Sequence, residues 1–130
     1  MAVKLLLDTQ AFLGWVGSGR PLPKAAAAAI GSEANECLVS HVTAWEIAIK
    51  LSIGKLRMGP TLEEFYLRHV AANRFRQLPI ALGHIARFAE LQARRSDPFD
   101  RLLAAQALEE RLAIVSGDAV FDAYGVDRVW

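Results

Sequence analysis

Val3-Lys4-Leu5-Leu6-Leu7-Asp8-Thr9 is a nearly unbroken apolar run that ends on a carboxylate and a hydroxyl. So short and continuous a run is what a strand buried on both faces requires, and such strands belong to parallel sheets covered by helices. The pattern recurs. Cys37-Leu38-Val39-Ser40 leads toward Glu46, Leu112-Ala113-Ile114-Val115 leads toward Asp118, and Asp97-Pro98 opens a helix whose first turn carries Asp100. Strands alternating with helices in this way imply an α/β domain, with a central, mostly parallel sheet between helical layers.

In open sheets of this kind, ligands bind outside the carboxyl ends of the strands. Asp8, Glu46, Asp100 and Asp118 are therefore expected to meet at one edge. Two carboxylates ~4 Å apart repel by roughly 4 kcal/mol at an effective dielectric of 20. A cluster of such groups calls for raised pKa values or bound cations, and carboxylate oxygens are the ligands that Mg²⁺ and Mn²⁺ take. Each acid also has a local explanation. Asp8 and Asp118 are placed to cap the helical turns that follow them, and Asp100 sits where the helix dipole favours an anion. Glu46 follows Thr43 at capping-box spacing and stands i,i+4 to Lys50. Local capping does not explain why all four fall near strand ends.

The rest of the chain supplies the covering layers. Helices are expected over residues 9–16, with Phe12, Leu13, Trp15 and Val16 inward, and after Pro23 through the alanine run to Ile30. Ser40 is the expected N-cap of a helix to Leu51, with Val42, Trp45, Ile49, Leu51 and Ile53 as its apolar stripe and Gly54 as its stop. Pro60-Thr61 with Glu64 predicts a capping box and a helix to Ala72. Leu78-Pro79-Ile80 is ambiguous between a loop and a short edge strand, the only strand position open to it because proline cannot donate in a central ladder. Residues 82–91 read as a helix with Ile85, Phe88, Ala89 and Leu91 on one side, the Asp97-Pro98 helix runs to Arg111, and residues 126–130 are a last edge strand.

With 130 residues and 53% hydrophobic content, the chain is expected to form a single domain over residues 1–130. A net charge of +1 argues against a polybasic binder, although ten of the fifteen Lys and Arg residues lie between Lys50 and Arg101. The single cysteine, Cys37, excludes an internal disulfide and suits a reducing compartment. With no signal-like h-region and no apolar stretch near the ~18 residues of a membrane span, a soluble cytoplasmic protein is expected. Cys37, His41, His69 and His84 do not make a zinc spacing, and Gly17-Ser18-Gly19 lacks the residues of a phosphate loop. Ser116-Gly117-Asp118 is not a nucleophile elbow.

Leu5-Leu6-Leu7-Asp8-Thr9, the segment Ser40-His41-Val42-Thr43-Ala44-Trp45-Glu46-Ile47-Ala48-Ile49-Lys50, the segment from Asp97-Pro98-Phe99-Asp100-Arg101 to Ala107, and Ser116-Gly117-Asp118 stand in a particular order. Together they resemble PIN-domain proteins, above all the VapC-type toxins of type II toxin–antitoxin pairs. The likeness runs from Leu5 to Val129-Trp130, and the Asp-Pro-Phe-Asp-Arg stretch is its most specific part. Two positions depart from the family pattern. Arg95 stands where related sequences often carry histidine, and Ser116 replaces the usual threonine while keeping its hydroxyl.

The resemblance implies a PIN-like three-layer α/β/α sandwich and an endoribonuclease dependent on Mg²⁺ or Mn²⁺, acting as the toxin of a toxin–antitoxin pair. Its metal-binding and catalytic acids map to Asp8, Glu46, Asp100 and Asp118. Thr9, Ser40, Thr43 and Ser116 are candidates for orienting those carboxylates, against the alternative of plain capping for Ser40 and Thr43. Lys50, Arg95 and Arg101 are candidate contacts to RNA phosphates, against the alternative that they are merely solvated. Trp15, Trp45 and Trp130 are stacking platforms or core residues. The implied partners are RNA, a small antitoxin and a second copy of the chain, with Trp15, Ile53, Leu56, Met58, Leu62, Phe65 and Tyr66 as candidates for an exposed apolar groove, against the alternative that all seven pack internally. Two other readings compete: a Mg²⁺-binding phosphoacceptor signalling domain, which would want paired acids after the first strand and a late lysine, and a non-catalytic binding module on the same fold.

Overall fold

A computed structural model describes residues 3–54, 59, 61–92 and 97–130. The strands are β1 (Lys4–Leu7), β2 (Glu36–Ser40), β3 (Arg76–Leu78), β4 (Ala113–Val115) and β5 (Arg128–Val129). The helices are α1 (Thr9–Trp15), α2 (Lys24–Gly31), α3 (His41–Ser52), α4 (Leu62–Ala72), α5 (Leu82–Glu90), α6 (Pro98–Glu110) and α7 (Val120–Ala123). The strands form one parallel sheet in the order β3-β2-β1-β4-β5. β1 is central, with Leu6 opposite Leu38 on one side and Ile114 on the other. The Pro79 segment follows an edge strand, as its missing N–H demands.

Alternation along β1 divides the core. Leu5 and Leu7 pack with Phe12, Ile30, Val39, Phe65, Tyr66 and Val70 on the α1, α2 and α4 side. Leu6 packs with Val42, Leu103, Ala107, Ile114 and Phe121 on the other. This is the three-layer sandwich expected. Helix ends follow their chemistry: the side chains of Ser40, Thr61 and Asp97 accept backbone N–H bonds at the starts of α3, α4 and α6, and Gly54 takes φ +74° just beyond α3.

Three expectations about faces are corrected. On α3 the buried residues are Val42, Thr43 and Ile47, whereas Trp45, Ile49 and Ile53 are exposed. Val42 serves one half of the core and Ile47 the other, so the helix crosses the sheet edge and does not lie flat on a single layer. On α5 the rotation is off by about one residue: His84 is buried while Ile85 and Ala89 are exposed. His84 Nδ1 accepts from Ala81 N–H at 3.0 Å and its Nε2 meets Glu110 at 2.9 Å, so a polar anchor sets the phase of this helix.

The third correction concerns the apolar groove. Phe65 and Tyr66 belong to the core, around Phe12 at ring-centroid distances of 6.3 and 6.1 Å. Trp15 and Leu62 are partly buried against that core and Ile53 alone of the described members is exposed, while Leu56 and Met58 lie outside the described residues. Tyr66 also donates to the Val39 carbonyl at 3.0 Å. Tyr66→Phe is expected to cost about 0.5–1.5 kcal/mol in urea unfolding, the usual worth of such a bond. A variant as stable as wild type would show that this buried bond contributes nothing.

Candidate functional site

The chain lays down β1, β2 and β3 in one direction and then returns to place β4 on the opposite flank of β1. The switch point is therefore between β1 and β4, where a crevice opens at the strands' carboxyl ends. A cleft of about 780 Å³ lies at this edge, and Asp8, Glu46, Asp100 and Asp118 all line it. Sequence order alone scatters these acids over more than a hundred residues; the parallel topology gathers them.

Each is held by its own element. Asp8 directly follows β1 and its Oδ1 accepts from Ala11 N–H at 2.7 Å, so it caps α1 and faces the cleft at once. Asp118 follows β4 and accepts from Val120 N–H at 2.9 Å. Asp100 sits in the first turn of α6, whose N-cap Asp97 also lines the cleft. Glu46 accepts from the Thr9 hydroxyl at 2.7 Å and lies 3.4 Å from Lys50 Nζ. The capping reading is thus correct for Asp8 without removing it from the cleft, whereas the N-cap of α7 is Ala119 and Asp118 makes only a local bond to the Val120 N–H. The capping box at Thr43 is not formed, because Ser40 starts α3.

The hydroxyls divide. Ser116 is fully buried, bonds the Asp8 carboxylate and accepts from Asp118 N–H at 3.0 Å, so it ties two of the acids together. Thr9 Oγ1 is also 3.2 Å from Thr43 Oγ1; since its one proton goes to Glu46, Thr43 is the donor in the second bond. Ser40 instead donates to Gln106 and caps α3, and it touches none of the acids.

Of the basic candidates, Lys50 pairs with Glu46, and Arg101 donates to the carbonyls of Phe88 and Leu91 at 2.8 and 2.7 Å while its guanidinium stacks on the Phe88 ring. Arg101 thereby fastens the end of α5 to α6. Arg95 lies outside the described residues. Sequence reasoning missed Arg20, which lines the cleft from the loop before α2, and Asp97 as a lining residue; of the three tryptophans it offered as stacking platforms, Trp130 is the one that lines the cleft. Nothing local marks Arg20, whereas a tryptophan following a glycine-flanked acid by one strand pairing is visible only once β5 is set beside β4.

Burial pushes the Asp8 carboxyl up from its ordinary value, helped by the charges of Glu46 and Asp118 and opposed by the bonds from Ser116 and Ala11. Asp100 is raised to about 7, first by burial and then by the charges of Asp97, Asp118, Glu46 and Asp8. The acids feel one another. As placed, however, no three His, Cys, Asp or Glu side chains among the described residues are disposed to hold one metal ion together. The donor set nonetheless suits a hard divalent cation: its cleft-lining ligands are carboxylates, with no cysteine or histidine among them. Cys37 is buried, with its thiol pushed up to about 11 by that burial, and does not line the cleft.

These shifts fix a pH dependence. A carboxyl whose folded pKa lies above its unfolded value leaves the fold holding more protons between the two, so stability is full below the unfolded value and falls as pH rises through the folded one. In chelator, Asp100→Asn is expected to gain stability over wild type as pH rises from about 4 to about 7, read by urea unfolding. A difference that stays flat across that window contradicts the raised Asp100.

The PIN domain family model matches residues 5–127, and the chain belongs to that family. No curated protein is similar enough in sequence to count as a relative. Among solved structures, the chain is similar to FitAcB from Neisseria gonorrhoeae, with 19% identity, 95% of each chain covered and a TM-score of 0.65. It is also similar to VapBC-5 from Mycobacterium tuberculosis, a member of the VapBC family of toxin-antitoxin systems, with 18% identity, 97% of each chain covered and a TM-score of 0.61. A further likeness is to VapC20 of Mycobacterium tuberculosis, a sarcin-ricin loop cleaving toxin, with 17% identity, 94% of this chain and 95% of that one covered and a TM-score of 0.60. At these identities the likeness establishes the shared fold. No helix among the described residues is long and apolar enough to cross a membrane.

Proposed function

We propose that this chain is an endoribonuclease dependent on Mg²⁺ or Mn²⁺ that acts as the toxin of a toxin–antitoxin pair. One observation carries the reading: in a PIN-family fold, Asp8, Glu46, Asp100 and Asp118 line a single cleft at the switch point of the sheet. Asp8, Asp100 and Asp118 are the proposed metal-binding acids, and Glu46 binds a second ion or orients the attacking water. When bound, the ion supplies a water of lowered pKa and offsets charge on the phosphoryl oxygens.

The chain's own residues supply orientation. Ser116 holds Asp8 and the backbone of Asp118 in fixed relation, and Thr9 fixes the carboxylate of Glu46 from the second position of contact. Since Glu46 already accepts from Thr9 and pairs with Lys50, its free lone pairs are the ones directed to water. The phosphoacceptor alternative loses its late lysine, because Ser116-Gly117 occupies the end of β4 and Lys50 is paired on α3.

Partners follow from the same reading. A cognate small antitoxin and a second copy of the chain are proposed to cover the exposed Ile49 and Ile53 of α3 and Leu82 and Ile85 of α5. The likeness to a toxin–antitoxin family supports an antitoxin partner. The test is incubation with total cellular RNA in Mn²⁺, followed by mapping of the new ends. A small set of reproducible cuts is expected; intact RNA at high micromolar protein contradicts the ribonuclease.

A further inference from the structure

Beside the acids, the cleft presents one open aromatic face. Trp130 lines the cleft and is 41% exposed. A Cβ added to Gly117 would fall 2.8, 2.9 and 3.0 Å from Cε2, Nε1 and Cζ2 of the indole. Three contiguous ring atoms at nearly equal distance mean that the glycine meets the face of the ring. With one face on Gly117, the exposed area belongs to the other face and the rim.

The ring is also carried on a fixed support. Ser116 N–H donates to the Val129 carbonyl at 3.1 Å, and Arg128 is clamped on Asp122 at 3.0 and 3.1 Å and on the Ser116 carbonyl at 3.2 Å. The other tryptophans are engaged elsewhere: Trp15 Nε1 donates to Asn73 at 2.9 Å, and the Trp45 ring packs edge-on against Phe99 at 4.8 Å. A cleft lined by five carboxylates repels a phosphodiester strand, so a strand held there needs contacts that do not depend on the acids. Arg20, in the same cleft, makes no ion pair among the described residues.

We propose that Trp130, seated on Gly117 beside Asp118, is the stacking platform for an unpaired base next to the scissile phosphate, and that Arg20 contacts a phosphate of the same strand. This rests on the ribonuclease reading and adds to it the side chains that grip the strand beside the acids. Stacking accepts any base, since each has a π-face, so the platform selects unpaired nucleotides rather than a sequence.

The test measures binding without cleavage. A fluorescently labelled single-stranded oligoribonucleotide is titrated against Asp100→Asn protein in Mg²⁺, and again against the otherwise wild-type chain in EDTA. Trp130→Ala is expected to weaken binding about tenfold and Trp130→Phe to recover most of it, within the range for one base stacked on an aromatic ring. Quenching of intrinsic tryptophan fluorescence by the strand should disappear in Trp130→Phe although its affinity is kept, which a merely structural role would not produce. Arg20→Ala should weaken binding and reduce the salt slope by about one unit. Wild-type affinity in folded Trp130→Ala, or a Phe variant no better than Ala, overturns the proposal even if the protein cuts RNA. Binding that depends on Trp130, with no cleavage by the wild-type chain, would instead overturn the ribonuclease and leave the subsite standing.

Discussion

Asp100→Asn is expected to abolish RNA cleavage and to leave the fold intact. The variant keeps the size of the side chain and removes a carboxylate that burial and four neighbouring acids already raise to about 7. The cap of α6 is undisturbed, because Asp97 accepts the Asp100 N–H at 2.8 Å through its own side chain. A helix-dipole role alone would cost at most about 1 kcal/mol of stability and nothing in rate. Loss of a group that stabilises charge at the reacting phosphate costs on the order of 10²–10³ in rate, or more when the ion is lost with it. Wild-type cleavage by the folded Asn variant removes Asp100 from the site.

Divalent metal is expected to raise the melting temperature, and Asp8→Asn to remove most of the increase. Binding to the folded chain alone stabilises it by about 2.7 kcal/mol at a hundredfold excess over the dissociation constant. Burial first, and the neighbouring negative charges after it, raise Asp8 and Asp100, and a bound cation offsets both by favouring the ionised carboxylates. Asparagine at position 8 still accepts from Ala11 N–H, so the cap of α1 survives and the lost metal response is not a lost helix. Equal shifts in the two proteins, or none in wild type at millimolar Mn²⁺, contradict the assignment.

The path from sequence to site was short where chemistry and topology coincide. Asp8 and Asp118 were readable because each stands just past a strand whose unbroken apolar pattern marks it as buried on both faces. Asp100 was readable from the Asp-Pro helix start. Glu46 was the least direct of the four, since it lies more than a turn into α3 and past the strand end that leads toward it. Helix faces were harder. Periodicity names an apolar side but not which side a helix shows to the sheet, so it leaves Phe65 and Tyr66 open between groove and core, and the fold places both in the core.

On α5 the helix and the inward Phe88 and Leu91 were readable, but buried His84 against Glu110 sets its phase, so Ile85 and Ala89 face outward. Lys50 and Arg101 carry the charge expected of phosphate contacts, yet intramolecular partners take them: the Glu46 partner of Lys50 was visible at i,i+4, whereas the Phe88 and Leu91 carbonyls that hold Arg101 are brought to it only by the fold. Arg20, Asp97 and Trp130 join the site solely through closure of the cleft by the loop before α2, the start of α6 and the end of β5.

The most direct test of the acid cleft as a metal-dependent ribonuclease site is cleavage of one mapped RNA by chelator-stripped protein, with Mn²⁺ added back in steps. No cleavage in EDTA is expected, followed by a saturable return of activity at the same bonds, with Asp8→Asn and Asp100→Asn silent throughout. Cleavage that continues undiminished in EDTA, or that the Asn variants retain, would contradict it.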